Sequence, residues 1–428
     1  MGEYSGLVGV LVILSLAWIC STARRQINLR IVLVGIALQF TLAFLLIEFK
    51  PVRAGVEAIA KGVTRLLGFS RSGGEFLFGN LADASQSWGF IFAVQVLPTI
   101  VFFASLMAIL YHLGVMQRIV AALAWVLRIS LGVSGAEALA AAANVFVGQT
   151  EAPLCIKPYL PRMTRSQIML VMTGGFATIA GSVLAAFVGM LGGGDEASQV
   201  EFAKHLLTAS VMSAPGAFVI AKMLLPETEE LMDELSLKAL DEDNRTTVNM
   251  LDAAAAGATD GLRLALNVAA MLVAFVALIA MIDWPLGALH GTWLGSQLEG
   301  LLGLQELSLI GILGVLFSPV AVFLGVDRGD VFVVGELLGT SMVATEFLAY
   351  IGLSDHIAEG TISHRSAVIV TYALCGFANF PSIAIQIGGL TAIAPERRSD
   401  FARIGPRAMV GGALTCWMTG CIASLFVG

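Results

Sequence analysis

Charged residues are scarce in this chain. Only 13% of its 428 residues are Asp, Glu, Lys or Arg, whereas 57% are hydrophobic. A soluble domain of ordinary composition carries about a quarter charged residues. This composition excludes an ordinary soluble enzyme or binding module and predicts a chain that is solvated by a lipid bilayer.

Residue patterns for redox, metal and nucleic-acid chemistry are also missing. The five cysteines form no CxxC pair, and the five histidines show no metal-ligand spacing. The net charge of −7 gives no reason to expect a nucleic-acid partner. The first residues lack the basic region of a signal peptide, so we expect the first apolar stretch to be a retained helix.

One acidic run raises the possibility of a membrane-embedded enzyme. Residues 240–247 read LDEDNRTT, a composition that could hold a metal–diphosphate group. No second Asp cluster or partner His accompanies the run, and other acidic residues surround it. A solvated cytoplasmic linker over 226–260 is the simpler interpretation, and the enzyme is kept as a distant alternative.

Long apolar runs predict the membrane spans. A spanning helix needs about 20 mostly apolar residues. If 307–326 crossed, the basic loop 397–407 would lie outside, against the tendency of positive charges to stay inside. Eight crossings are therefore predicted, in the inner membrane of the cell and with both termini periplasmic. The nine charge-free candidates are 4–23, 31–47, 84–111, 166–194, 206–221, 264–282, 307–326, 366–394 and 408–428.

Residues 50–71 have the pattern of an amphipathic helix. Their apolar residues follow helical spacing, while Arg53, Glu57, Lys61 and Arg65 recur every fourth residue on the other face. We expect a helix that lies in the membrane interface. The alternative is a helix packed against other protein.

Two parts of the chain look alike. Segments beginning at Leu131 and Leu324 both start with LGV and reach Thr-Glu about twenty residues later, and a 29-residue charge-free run follows each. Those runs contain GFATIAGS and GFANFPS. An odd number of predicted crossings separates the two segments, so the duplication is expected to be an inverted repeat, as in secondary transporters. The predicted fold is an all-α polytopic membrane protein with two opposed re-entrant hairpins, whose tips carry Thr150-Glu151 and Thr345-Glu346.

The two hairpin glutamates are the first candidate site residues. A carboxylate at membrane depth is costly unless it is paired or faces water. Glu151 and Glu346, brought to the midplane from opposite sides, would form a polar pocket for a hydroxyl-rich or cationic ligand. The alternative is that both are solvated at hairpin ends in the interface.

Several motifs resemble those of the concentrative nucleoside transporters. They are GQTEAPLCIKPYL at 148–160, QVLPTIVFFASLMAILYHLGVMQ at 95–117, TEFLAY at 345–350 and CGFANFPSIAI at 375–385. The resemblance runs from about residue 75 to the C-terminus, and it implies interfacial helices, a homotrimer and a nucleoside site. It implies that Gln149, Thr150 and Glu151 face the nucleobase, that Glu346, Asn379 and Ser382 bind the ribose hydroxyls, and that Val183 and Phe377 pack beside the ligand.

The resemblance also implies a sodium site. Its ligands would be the side chains of Asn144 and Thr178 and the backbone oxygens of Val147 and Ile179. Oxygen ligands at an unwound helix suit a hard cation. The alternative role for Asn144 is a helix cap. The chain departs from the family pattern at Thr345, where Asn is common, and at Pro381, where Ser is common.

The expected function is sodium-coupled symport of nucleosides such as uridine, by alternating access with an elevator-like movement of the hairpin-containing part. No cofactor other than the coupling ion is expected. A proton-coupled symporter of the same fold is the closest alternative, and a passive channel suits two opposed hairpins less well. The expected division is 1–90 scaffold, 91–225 first repeat, 226–260 acidic linker and 261–428 second repeat.

Overall fold

The computed structural model describes residues 5–82, 91–229 and 247–427, and within them all regular secondary structure is helical. The acidic run at 240–246 therefore lies outside the described residues. The first half contains α1 Ser5–Ile19, α2 Leu29–Ala43, α3 Lys50–Phe78, α4 Phe92–Gln95, α5 Leu97–His112, α6 Val115–Leu131, α7 Gly135–Asn144, α8 Arg165–Phe176, α9 Gly181–Gly192 and α10 Glu196–Leu224. The second contains α11 Met250–Gly287, α12 Trp293–Leu302, α13 Leu309–Leu324, α14 Val331–Val343, α15 Glu346–Glu359, α16 His364–Ala373, α17 Phe380–Ile393 and α18 Arg398–Ala423.

Several helical segments have the length and composition of membrane spans. Among the described residues, five qualify: Leu29–Glu48, Phe92–His112, Arg165–Gly192, Glu196–Leu224 and Met250–Gly287. Three shorter helices, α1, α13 and α17, are also apolar. These helices support a multi-pass membrane protein, while the number of crossings stays a prediction.

The helices form a buried core and an exposed arm. Helices α8, α9 and α10 are buried along almost their whole length, whereas α11 is mostly exposed. Helix α11 packs along α5 through small residues: a Cβ on Gly257 would lie 2.6 Å from Ala108 Cβ, and one on Gly261 would lie 2.8 Å from Val101 Cα. Small residues at this contact let the two backbones approach closely, as is common between membrane helices.

Both 29-residue charge-free runs are broken rather than continuous. The first divides into α8 and α9 around a non-helical stretch at 177–180, and the second into α16 and α17 around 374–379. The two breaks are in contact, because a Cβ on Gly376 would lie 2.5 Å from Phe176 O. The Cys416 thiol of α18 lies 3.6 Å from Ala177 O and 3.5 Å from Cys375 O, so it contacts both breaks.

Contacts between loops divide them into two groups. In one group, Thr22 N donates to Leu224 O at 3.1 Å, and Arg165 pairs with Asp400 at 3.2 Å. In the other, Arg365 donates to Gly325 O at 2.6 Å and to Ser424 O at 3.0 Å. Helix α18 runs from the first group to the second, so the groups lie at opposite ends of it. The side of the membrane that each end faces stays a prediction.

The amphipathic segment is a longer helix than predicted. Helix α3 extends to Phe78, and Glu57 pairs with Lys61 at 3.0 Å on its exposed face. Its buried stripe includes Ser70, whose hydroxyl bonds to Thr99 Oγ1 at 3.1 Å on α5. One face of α3 thus packs on protein, as the alternative interpretation holds, and its position in the interface stays a prediction.

Candidate functional site

The first Thr-Glu pair follows the end of α7. This helix begins with a capping box between Ser134 and Glu137 and ends at Asn144. Non-helical backbone leads to Thr150, and 3-10 turns at Ala152–Ile156 and Leu160–Arg162 follow. Each of these 3-10 segments has a proline at its first or second position. Proline is tolerated at the start of a helix but not in the interior of a continuous one. The predicted return arm of this hairpin is therefore built from 3-10 turns.

The two glutamates differ in their surroundings. Glu151 is exposed, and its Oε2 accepts a hydrogen bond from Gly148 N at 3.2 Å. Glu346 is only 3% exposed. The neighbouring Gln149 is buried. The placement of Glu151 in a polar pocket shared with Glu346 stays a prediction.

The second Thr-Glu pair begins a helix. The backbone breaks at Ala344, and Thr345 caps α15 by accepting a hydrogen bond from Leu348 N at 3.3 Å. Threonine is a good N-cap residue, which gives the departure at this position a structural role. Glu346 follows as the first residue of α15.

Glu346 is joined to the start of α17. Asn379 Nδ2 donates to Glu346 Oε2 at 2.6 Å, and Asn379 Oδ1 accepts from Ser382 N at 2.8 Å, which caps α17. Pro381 lies in the first turn of α17, where its missing N–H costs no helical hydrogen bond. The structure thus brings together the three residues expected to bind ribose. All three are buried, in a polar set that ends at a helix N-terminus.

The first Thr-Glu segment also contacts α17, nearer the C-terminal end of that helix. A Cβ on Gly389 of α17 would lie 2.8 Å from Thr150 Cγ2, so Thr150 packs directly against α17. Gly389 follows Ser382 by seven residues, which is about 10 Å along a helix. The candidate site therefore extends along α17, with Asn379 and Ser382 at its start and the Gln149–Glu151 segment at the other end.

The two expected packing residues lie in separate elements. Val183 is fully buried in the first turn of α9, immediately after the first break. Phe377 is partly buried within the second break, and its carbonyl accepts from Asn379 N at 2.9 Å.

Asn144 occupies an unusual position. It is 1% exposed, and neither atom of its side-chain amide has a hydrogen-bond partner in the described part of the chain. A Cβ on Gly174 would lie 3.0 Å from its Nδ2, so the amide points at the end of α8. Because burial of an unpaired amide is costly, the position calls for a ligand or a bridging water. The alternative role as a helix cap is not seen, since this side chain bonds to no helix end.

The remaining expected sodium ligands surround the first break. Thr178 is buried, and its hydroxyl donates to Gly174 O at 2.9 Å. Gly181 N donates to Phe146 O at 3.0 Å and ties the segment after α7 to the break between α8 and α9. Val147 and Ile179 are buried in these two non-helical stretches. No group of three His, Cys, Asp or Glu that could hold a metal occurs among the described residues. Neutral oxygen atoms at unwound backbone fit Na⁺ better than a transition metal.

A buried glutamine and a buried ion pair were not predicted from the sequence. Gln386 of α17 is 1% exposed, and its Nε2 donates to Met172 O of α8 at 3.1 Å. Its position four residues after Ser382 was the available signal, because such residues share a helix face.

Lys222 of α10 forms a buried ion pair with Glu137 Oε1 at 2.5 Å and donates to Ser166 Oγ at 3.0 Å. The only signal for this pair was an acidic residue in the first turn of an alanine-rich helix.

Known protein families and relatives match this chain along its whole length. Residues 205–424 match the family described as Na⁺ dependent nucleoside transporter C-terminus, residues 8–81 match its N-terminus, and residues 93–194 match the nucleoside recognition Gate family. An uncharacterized transporter of Haemophilus influenzae is 40% identical over 432 residues, which is 100% of this chain and 99% of that protein. The rat sodium/nucleoside cotransporter 1 is 38% identical over 97% of this chain and 63% of its own length.

Solved structures agree with this assignment. CNTnw in an inward-facing substrate-bound state is 40% identical, has a TM-score of 0.88, and is matched over 100% of this chain and 98% of that chain. An outward-facing state of a doubly substituted CNTnw gives a TM-score of 0.89 at 40% identity, with the same coverage. The matched families are transporters and not enzymes. The chain belongs to the concentrative, Na⁺-dependent nucleoside transporter family.

Proposed function

We propose that this protein imports nucleosides such as uridine together with sodium ions. Nucleoside transport by alternating access is supported by the family and by relatives solved in inward- and outward-facing states. Sodium coupling is supported by the family description and by Asn144, whose unpaired buried amide needs a ligand. The elevator-like movement would carry the two broken helix pairs, α8–α9 and α16–α17, and the two Thr-Glu segments past the α5–α11 arm.

The observation that carries the substrate proposal is the buried set of Glu346, Asn379 and Ser382. Carboxylate and amide groups are good partners for vicinal hydroxyls, and hydrogen bonds to an ionised group are the stronger kind. The hydroxyls of a bound ribose would compete for the hydrogen bond that Asn379 Nδ2 donates to Glu346. A site built in this way rejects analogues that lack the hydroxyls, because its own polar groups would be left unpaired.

The nucleobase would lie toward the other end of α17. Gln149, Thr150 and Glu151 would face it, and Val183 and Phe377 would pack beside the ligand. Support comes from the contact between Thr150 and Gly389, which sets this segment against α17. The length of α17 between the two polar sets, about 10 Å, suits a base joined to a pentose.

Sodium would be held by Asn144, Thr178 and the backbone oxygens of Val147 and Ile179. When bound, the cation would satisfy Asn144 Oδ1 and fix the segment after α7 against the break between α8 and α9. That segment leads within five residues to Gln149, so ion binding would shape the base end of the site.

The assembly and location are also proposals. We propose a homotrimer in the inner membrane with both termini periplasmic, with residues 1–90 as scaffold, 91–225 and 261–428 as the two inverted halves with re-entrant hairpins, and 226–260 as a cytoplasmic linker. Grouping of the loops into two sets of contacts supports the placement of both termini at one end.

One observation favours a proton-coupled alternative. Glu346 is buried and bonded to a neutral amide, an environment in which a carboxyl group could carry a proton. Uptake of labelled uridine into proteoliposomes, with and without an inward sodium gradient at fixed pH, separates the two. We expect accumulation only with the sodium gradient. Equal uptake without it would overturn sodium coupling.

A further inference from the structure

Gln386 lies in the wall of the candidate site although no expected role falls on it. It follows Ser382 by four residues and precedes Gly389, the contact of Thr150, by three. Residues three and four apart share a face of an α-helix. Gln386 is therefore on the same face of α17 as Ser382 and Gly389, between the two ends of the site.

The orientation of its amide is fixed. Nε2 donates to Met172 O at 3.1 Å, and a backbone carbonyl can only accept. If the amide were rotated by half a turn, Oε1 would face the Met172 carbonyl oxygen. Both atoms are acceptors, so they would repel each other. Oε1 must therefore point away from α8, and it finds no donor within residues 5–82, 91–229 and 247–427.

A second unpaired amide oxygen belongs to a side chain that packs against the same glycine. Gln149 is 7% exposed, and its buried Oε1 also has no partner among the described residues. Both side chains border Gly175, where a Cβ would collide with Gln386 Nε2 and would lie 2.9 Å from Gln149 Cβ. No hydrogen bond within the described residues fixes the Gln149 amide in the way that Met172 fixes Gln386, and a half turn about its last bond exchanges oxygen and nitrogen. After that turn Gln149 would turn an N–H donor, which Gln386 Oε1 lacks, to the side where its unpaired oxygen now lies.

We propose that Gln386 is a positioning residue that orients the Gln149 amide. Gln386 Oε1 holds Gln149 Nε2, so that Gln149 presents its Oε1 to the substrate. An acceptor at the base end selects nucleobases that carry an N–H donor, such as the exocyclic amines of adenine and cytosine. This inference rests on the proposed nucleoside transport and adds the class of base that the site prefers.

Two pairs of nucleosides test the inference. Adenosine is compared with purine riboside, and cytidine with its 4-deamino analogue, because each pair differs by the amine. In wild type, the nucleoside with the amine should reach half-maximal competition at a concentration about 2–10-fold lower than its partner. This is the range expected for one neutral hydrogen bond. Gln386→Met keeps the length of the side chain and should bring both ratios close to one. The preference for ribose over 2′-deoxyribose, which Glu346 would set, should stay unchanged.

Gln39 offers a matched control. This buried glutamine of α2 also donates Nε2 to a backbone carbonyl, Met212 O at 3.0 Å, and its Oε1 is likewise unpaired among the described residues. Gln39→Met should leave both ratios as in wild type. Retained preference in Gln386→Met, or no amine preference in wild type, would overturn the inference. The wild-type ratio alone decides if Gln386→Met does not fold. A wild-type protein that takes up no nucleoside would overturn the proposed function as well.

Discussion

Glu346→Gln tests the assignment of the ribose-binding set. The substitution preserves the size of the side chain and an oxygen that can still accept from Asn379 Nδ2, so the 2.6 Å contact and the cap of α17 can survive. What is lost is the charge that strengthens hydrogen bonds to substrate hydroxyls. The experiment therefore separates the binding role of this carboxylate from its structural role.

The size of the effect follows from the bond that is lost. A hydrogen bond to a charged group contributes about 1.5–3 kcal/mol. This corresponds to roughly 10–150-fold weaker binding of uridine, at about 1.4 kcal/mol for each factor of ten. Because wild type uses the charged bond for a ribose hydroxyl, 2′- or 3′-deoxyuridine should already bind more weakly to wild type, and Glu346→Gln should narrow that difference.

The assay is competition of uridine and its two deoxy forms against labelled uridine uptake in proteoliposomes. Glu336→Gln is a matched control, since it makes the same change ten residues earlier, on α14 and outside the polar set. The control should keep the wild-type order of affinities. Normal uridine affinity in Glu346→Gln would refute the ribose assignment.

Three other predictions concern the ion site, the topology and a buried charge pair. Thr178→Ala should raise the sodium concentration for half-maximal uptake while sparing uptake at saturating sodium; an unchanged sodium response would contradict its role as a ligand. A cysteine at exposed Ala358, in the last turn of α15, should react with an impermeant reagent from outside, and one at exposed Ser399 only after permeabilisation; labelling of both from one side would contradict the opposed hairpins. Lys222→Met leaves Glu137 buried without its 2.5 Å partner and should cost about 3–5 kcal/mol in the free energy of unfolding. Adding Glu137→Gln should restore much of the melting temperature of the detergent-solubilised protein, and a double variant as unstable as Lys222→Met would show that the ion pair is not the cause.

Local sequence signals account for part of the site. The Thr-Glu pairs of the repeat point to Glu346 from sequence alone, whereas Asn379 enters only through the family resemblance. Both residues lie at helix starts, where capping preferences can be recognised in the sequence. The hydrogen bond between them joins residues 33 positions apart and was not predicted.

Other features depend on contacts that composition does not encode. The breaks in α8–α9 and α16–α17 lie in charge-free sequence, and they are accommodated where Gly376 packs against Phe176 and where Cys416 contacts the carbonyls of Ala177 and Cys375. The exposure of Glu151 depends on which way one turn faces. The fixed orientation of the Gln386 amide depends on Met172, 214 residues earlier. Long-range contacts of this kind explain why the length of a charge-free run did not predict a continuous helix.

The most direct test of sodium-coupled nucleoside transport reverses the usual driving force. Proteoliposomes with equal sodium on both sides receive an inward uridine gradient, and entry of labelled sodium is measured together with entry of labelled uridine. Coupling is reciprocal, so the substrate gradient must drive the ion if the ion gradient can drive the substrate. We predict that uridine accelerates sodium entry in wild type and much less in Thr178→Ala. Sodium entry that is indifferent to uridine, while uridine itself enters, would contradict the account.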